Sequence, residues 1–363
     1  MRAIILVGGK ATRLLPLTCN TPKAMVPVLN KPFLEHVIHH LDQHGIKEII
    51  MAQGHLAQPI QGYLGDGSQL GVKFFYSFED TPLGTAGAVK NASEYLAETF
   101  VVLNGDVFTD FDITEMIAFH REKKARITIA LTRVDDPTSY GLVETTAEGR
   151  VTRFLEKPSR SEITTDMINA GTYIIEPDVL AGIPPHTGVS FEREVFPKFL
   201  TRGEPIYAYS SPAYWIDIGT PQKYLQIHRD LLSGQCRQHG LTADTVLIGE
   251  HSEVHPTVEI KGPVVIAGKC SIERHVKLTG PVVIGTGSVI REDSVVEASI
   301  IWQRAKLGPR AILKQSILAD DCCLDEDSIC EDAVLGDGVI IKRGVKLAPG
   351  SRLWPGTIVE GKA

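Results

Sequence analysis

Residues 8 to 18 read Gly8-Gly9-Lys10-Ala11-Thr12-Arg13-Leu14-Leu15-Pro16-Leu17-Thr18, with Pro22-Lys23 four positions further on. An apolar run, Ala3 to Val7, precedes them. A strand, a glycine turn and then two cations form an arrangement suited to a triphosphate. Glycines let backbone N–H groups approach phosphate oxygens, and Arg13 and Lys23 neutralise charge the backbone cannot. The planar fork of Arg13 suits bidentate contact with the terminal phosphates. The segment matches neither GxxxxGK[ST] nor GxGxxG, because Lys10 and Ala11 follow the glycine pair.

Two acidic corners accompany it. Asp106 ends Asn104-Gly105-Asp106 after the apolar Phe100 to Leu103, and Asp217 lies within Trp215-Ile216-Asp217-Ile218-Gly219-Thr220-Pro221. Each could serve a turn or a helix entry, and each could hold a metal ion. A third corner, Glu156-Lys157-Pro158, closes a strand predicted over Val151 to Leu155. Tyr140-Gly141 and Asn169-Ala170-Gly171 each precede a strand-like run. Gly141 allows a ligand to approach closely, and the Asn169 amide can read hydroxyls.

These residues need a frame. Pro32 can open a helix, and Leu34, Val37, Ile38 and Leu41 then fall at i, i+3, i+4 and i+7 before Gly45. Glu48 to Ala52 and Phe100 to Leu103 read as buried strands. Apolar strands alternating with amphipathic helices imply an α/β domain with a mostly parallel sheet covered on both faces. Ligands of such sheets gather beyond the carboxyl ends of the strands, where the glycine turn and Asp106 would lie.

From residue 246 the period changes. Ile248, Val254, Ile260, Ile266, Ile272, Leu278, Ile284, Ile290 and Val296 are spaced six apart. One aliphatic per hexapeptide is the pattern of a β-helix. The repeat then slips. Trios begin at Ile301, Leu318 and Leu335, each one position short of three full hexapeptides after the last, so these coils should be correspondingly shorter. Thr220-Pro221 starts a helix that Gly234 ends, and 235–245 reads as a linker. The expected domains are 1–234 and 246–363.

Composition narrows the classes. The chain is 43% hydrophobic and 22% charged with a net charge of −7. No basic run supports nucleic-acid binding. No apolar stretch approaches the roughly 18 residues of a membrane span, and no signal peptide is evident. Six cysteines without a CxxC pair suit a reducing cytoplasm.

The ordered series of glycine loop, Gly-Asp, Tyr-Gly, Glu-Lys-Pro, Asn-Ala-Gly and Trp-Ile-Asp resembles the sugar-phosphate nucleotidylyltransferases. With the hexapeptide repeats the resemblance covers nearly the whole chain. It implies a Rossmann-like mixed, mostly parallel nucleotidyltransferase sheet followed by a left-handed parallel β-helix. It further implies that a sugar 1-phosphate attacks a nucleoside triphosphate and that pyrophosphate leaves. Asp106 and Asp217 would hold Mg²⁺. Leu6, Gly8, Gly9, Thr12, Arg13 and Lys23 would hold the nucleotide. Gly141, Glu156, Lys157 and Asn169 would hold the sugar phosphate, with Lys157 on the phosphate.

Pro82-Leu83-Gly84-Thr85-Ala86-Gly87 looks like the base loop of mannose-1-phosphate guanylyltransferases, and Ser190 to Pro197 agrees. A carboxylate at Glu79 can accept from both guanine donors, N1–H and the exocyclic amine. Glu192 and Arg193 could equally be a helix-start acid and its ion-pair partner. The expected reaction is GTP plus α-D-mannose 1-phosphate giving GDP-mannose. Thymidylyl, uridylyl or adenylyl transfer to glucose 1-phosphate is the alternative. Remoter readings are a non-catalytic regulatory subunit, or an added acyl transfer using His251, His255 or His275. The β-helix implies a homo-oligomer. Two departures stand out. Ala11 replaces a usual glycine, which a right-handed backbone would accept, and Leu15 occupies a commonly basic position.

Overall fold

The computed structural model describes residues 1–9, 11–54, 57–236 and 240–361. Lys10 of the glycine turn and 237–239 of the expected linker lie outside them. The chain divides into two compact units, one of Met1–Lys10 and Leu34–Asp217, the other of Ala11–Phe33 and Ile218–Ala363.

The first unit is built on a nine-stranded mixed sheet. Its strands are β1 (Ala3–Leu6), β2 (Glu48–Gln53), β3 (Lys73–Phe78), β4 (Phe100–Asn104), β6 (Ile127–Arg133), β7 (Gly141–Thr145), β8 (Val151–Glu156), β9 (Met167–Ile175) and β10 (Ile206–Ser210). The order β8-β7-β9-β4-β1-β2-β3 holds the parallel run β4-β1-β2-β3, and β9 joins that run antiparallel to β4. A separate ribbon pairs β5 (Val107–Thr109) with β11 (Trp215–Asp217). Ile4, Ile50 and Val102 pack with Ala86 and Val89, while their strand neighbours Ile5, Met51 and Leu103 are buried too. Adjacent strand residues face opposite sides, so both faces of the sheet are covered, as continuous apolar runs require.

Helix α1 (Phe33–Gln43) begins just after Pro32, which lies in a two-residue ribbon instead of opening the helix. The predicted apolar stripe is buried. A second stripe is histidine: His36 and His40 are buried, and the His40 and His44 rings meet edge to face at 4.8 Å. Burial, then the neighbouring His44, push His40 down from 6.5 to about 4. Its depressed value means that the unfolded chain takes up the proton first. The stability His40 contributes is therefore full above pH 6.5 and lost as pH falls toward 4, a change of about 3 kcal/mol. Chemical denaturation between pH 7 and 4.5 should show a steeper loss for wild type than for His40→Gln. Equal slopes would exclude this role.

The second unit contains the hexapeptide repeats, folded into three parallel sheets of seven, seven and five strands, consistent with a left-handed β-helix. Ile248 pairs with Ile266 and Ile266 with Ile284, an offset of three full hexapeptides. Ile284 then pairs with Ile301 and Ile301 with Leu318, an offset one position shorter. The predicted slip is real. His251 and His275 sit at left-handed corners (φ 59° and 60°), a conformation taken up in other coils by Lys269, Arg304, Asp293 and Arg310. That pattern gives the two histidines a turn role. Cys270, Cys322 and Cys330 fill the interior, and burial pushes the last two thiols up to about 12.

Val283, Ile300 and Ile317 are buried although their strand neighbours Ile284, Ile301 and Leu318 already face the interior. The outside of this sheet is therefore also covered. Helix α3 (Pro221–Leu232) starts at the predicted Thr220 cap, whose hydroxyl accepts from Lys223 N–H. Its Tyr224 hydroxyl donates to Pro27 O and accepts from Trp302 Nε1–H at 2.9 Å. Asn30 Nδ2 donates to Ile284 O at 3.2 Å. Among the described residues no helix is long and apolar enough to cross a membrane.

Candidate active site

The site grows from the carboxyl ends of β1, β4 and β2. Leu6 pairs with both Asn104 and Ala52, and Gly105 N–H donates to Leu6 O at 2.9 Å. A Cβ at Gly105 would lie 2.7 Å from that same oxygen, so the corner before Asp106 requires glycine. Gly8 lies beside Gly54, and Gly9 has φ 118°. The glycine turn and the Asp106 corner therefore share one sheet edge.

Asp217 joins them through the ribbon. It pairs with Val107, one residue after Asp106. Asp217 is only 7% exposed, and Tyr140 O–H donates to its Oδ1 at 2.7 Å. The Tyr140 ring meets Trp215 edge to face at 5.6 Å, and Trp215 Nε1–H donates to Ala170 O at 2.8 Å. Lys157 N–H donates to Tyr140 O at 2.8 Å, and Glu156 pairs with Gly141. Four motifs separated in sequence are thus joined by direct contacts. Asp106 precedes the rung that holds Asp217, and carboxylates are the ligands that Mg²⁺ takes when phosphates and water supply the remaining oxygens. The donor set fits such an ion. Among the described residues no cluster of three or more ligating side chains offers another metal site.

A Cβ at Gly141 would meet Glu156 Oε2 at 3.1 Å, so glycine leaves that carboxylate open on this side. Burial, then the charge of Glu192, raise Glu156 above the usual carboxylate range. Lys157 is exposed, with φ 53°. Asn169 is buried; its Nδ2 donates to the Tyr173 hydroxyl oxygen and its Oδ1 accepts from Gly171 N–H.

At the other end of the sheet Leu83 N–H donates to Glu79 Oε2 at 2.8 Å. Burial raises Glu79, and this hydrogen bond partly offsets it. Gly84 (φ +68°) opens α2 (Gly84–Asn91), where a Cβ would lie 2.7 Å from Val189 O. Thr85 O–H donates to Glu192, while Phe191 N–H donates to the Thr85 oxygen.

Thr12, Arg13 and Lys23 lie in the segment grouped with the second unit. Thr12 to Leu14 and Lys23 to Met25 each form a single 3₁₀ turn. Ala11 does not take the right-handed backbone that would accept its methyl group: at φ 44° and ψ 37° it takes the left-handed conformation that a glycine would adopt without Cβ strain.

Some residues escaped the sequence reading. Glu192 is a helix-start acid as expected, in the first turn of Phe191–Val195, but the partners of its carboxylate were not foreseen. Ser190 is the cap, and the Glu192 carboxylate receives three hydroxyls. Tyr173, two positions after Gly171 on a buried strand, carries no motif. Gln53, at the end of β2 and 1% exposed, has no partner for either amide atom among the described residues.

A mixed α/β sheet with a glycine turn and paired acidic corners at one edge defines a nucleotidyltransferase domain. The family described as Nucleotidyl transferase matches residues 2–234, and the family described as GMPPB C-terminal domain matches residues 260–360. The chain belongs to the nucleotidyl transferase family and is an enzyme of the sugar-1-phosphate nucleotidylyltransferase class. A mannose-1-phosphate guanylyltransferase of Mycobacterium tuberculosis is 37% identical over 359 residues, 98% of this chain and 95% of that one. A UTP–glucose-1-phosphate uridylyltransferase of Synechocystis is 37% identical over 337 residues, 88% of this chain and 87% of that one. The structure of HddC from Yersinia pseudotuberculosis complexed with GMP-PN aligns with a TM-score of 0.54 and 32% identity, over 62% of this chain and 96% of that one.

Proposed function

We propose that the chain joins GTP to α-D-mannose 1-phosphate, releasing pyrophosphate and GDP-mannose. The observation that carries the base choice is the Glu79 carboxylate, oriented by Leu83 N–H through Oε2. Its Oε1 can then accept from a base. Guanine presents two adjacent donors to such a group. Uracil and thymine present one donor between two acceptors, which a carboxylate repels. The Mycobacterium relative supports the same reading, and the Synechocystis relative keeps uridylyl transfer to glucose 1-phosphate as the second.

In this reading Gly8 and Gly9 offer backbone N–H groups to the triphosphate, with Leu6 and Thr12 beside it. Arg13 neutralises the departing pyrophosphate, and Lys23 stands by the nucleotide phosphates. Lys157 holds the incoming sugar phosphate, whose oxygen attacks the α-phosphorus in line. Glu156 and Asn169 orient the sugar hydroxyls. Asp106 and Asp217 would hold Mg²⁺, which supplies charge neutralisation at the α-phosphate. Residues 1–234 form the catalytic part, 235–245 the connection, and the β-helix an assembly module for a homo-oligomer. A reducing cytoplasm suits the six free cysteines.

Pyrophosphate release measured with each common nucleoside triphosphate, crossed with mannose and glucose 1-phosphates, tests the reading. GTP with mannose 1-phosphate should give the highest kcat/KM. A preference for UTP or dTTP would overturn the guanylyl assignment.

A further inference from the structure

Glu192 lies in the π-helical turn Phe191–Val195. Its Oε2 accepts from Thr85 O–H at 2.8 Å and Ser190 O–H at 2.6 Å, and its Oε1 accepts from Tyr173 O–H at 3.1 Å. A carboxylate has about four acceptor positions, so three hydroxyls nearly saturate it. This acceptor sets the direction of every proton around it. Because Thr85 donates to Glu192, its oxygen is free to take Phe191 N–H at 2.9 Å. Because Tyr173 donates to Glu192, its oxygen can take Asn169 Nδ2–H at 2.8 Å. Asn169 must then turn Oδ1 toward Gly171 N–H at 3.0 Å. The amide orientation at one end of the chain follows from a carboxylate two residues away in the network.

The scaffold around the network is closely packed. The Tyr173 ring packs at 5.9 Å from Phe191 and 5.3 Å from Phe196, and Phe196 packs at 5.2 Å from Phe154 on β8. Ala86 and Gly87 N–H groups both donate to Val189 O, at 2.9 and 3.0 Å. A Cβ at Gly87 would lie 2.4 Å from Thr187 O, so α2 sits close against this segment. The first turn of α2, the 187–195 segment and β9 are therefore packed directly against one another.

We propose that Glu192 is a positioning residue that couples the base loop to the sugar-hydroxyl strand, so that nucleotide bound at one strengthens sugar 1-phosphate binding at the other. The proposal rests on the reading above that Glu79, Gly84 and Thr85 take the base while Glu156 and Asn169 take the sugar. Nucleotide contact at the base loop favours the Thr85 arrangement described above, and Thr85 bonds Glu192. Through Tyr173, Glu192 keeps the Asn169 amide turned for the sugar. Linkage makes the effect reciprocal.

Two variants cut the chain at different links. Glu192→Gln replaces one acceptor with a donor. If the remaining oxygen keeps Thr85 and Ser190, the new amide donor faces Tyr173, which can no longer donate there and competes with Asn169. Tyr173→Phe removes the link and keeps the ring packing. The full-length protein is titrated with α-D-mannose 1-phosphate, with and without a saturating non-hydrolysable GTP analogue. The same titration is run with glucose 1-phosphate and a UTP analogue.

For the pair that wild type turns over, the nucleotide should tighten sugar 1-phosphate about 10-fold. In both variants this factor should fall to about 2-fold or less, with nucleotide affinity alone little changed and the native fold retained by circular dichroism. Wild-type coupling in both variants would overturn the proposal. So would an absence of coupling in the wild type, or an equal loss of both affinities with their coupling intact. Turnover only with UTP and glucose 1-phosphate would overturn the substrate reading instead, and the second titration then decides the coupling.

Discussion

Replacing Asp106 or Asp217 by alanine lowers turnover by about 100-fold or more, because each removes a carboxylate from the proposed metal pair. The ladder register sets Asp217 opposite Val107, so the two acids share one end of the β5–β11 ribbon. The reaction concentrates negative charge: a phosphate monoester attacks a triphosphate. Without a cation between them the approach is repulsive, and protein groups alone cannot cancel that charge. Asp217→Ala also deprives the Tyr140 hydroxyl of its acceptor. Asp217→Asn keeps an oxygen for Tyr140 while weakening the metal, and so separates the two effects. Steady-state rates across a Mg²⁺ titration, with circular dichroism as the control for folding, provide the check. Near-normal Mg²⁺-dependent rates in both alanine variants would remove the metal assignment.

Glu79→Gln carries the second large effect. The amide keeps the shape but must donate from one side; with the remaining oxygen held by Leu83 N–H, the donor faces guanine and one of its two donors loses its acceptor. An unpaired buried donor costs about 1–3 kcal/mol, or roughly 5- to 150-fold in kcat/KM for GTP. UTP and dTTP, with a single donor each, should change far less. A pH signature accompanies this. Burial raises Glu79, so its proton returns at a higher pH than for an ordinary glutamate. The protonated carboxyl meets guanine donor to donor. The KM for GTP should therefore climb at the acid end for wild type and stay flatter for Glu79→Gln. Equal losses with every nucleotide would show that Glu79 does not read the base.

Legibility followed the range of the interactions. The β-helix could be read because each coil repeats one local pattern, and even the shortening of its later coils shows in the step from Val296 to Ile301, one position less than a hexapeptide. The α1 stripe and the Thr220 cap are equally local. The motifs announced themselves by residue type, yet their assembly did not. That the Tyr140 hydroxyl reaches Asp217 depends on β7, β9 and the ribbon converging, which no spacing encodes. Glu192 was legible as a helix-start acid, while its partners Thr85 and Tyr173, distant in the chain, were not. The methyl group of Ala11 would be accepted by a right-handed backbone. The structure bends the chain through this residue left-handed at φ 44°.

The packing of residues 11–33 with the hexapeptide coils bears on how such a chain can evolve. Asn20 Nδ2 donates to Asp337 Oδ2 at 2.8 Å, Asn30 reaches Ile284, and Tyr224 bridges Pro27 and Trp302. The stretch carrying Arg13 and Lys23 thus takes part of its support from residues encoded far downstream, at Ile284 and Asp337. A gene cut after codon 234 would still encode every proposed catalytic side chain, but it would discard Ile284, Trp302 and Asp337. Exchanging the C-terminal cassette between homologues is then not a neutral swap. A chimaera must carry matching partners for Asn20, Asn30 and Tyr224, and substitutions on the two sides of the junction should be inherited together.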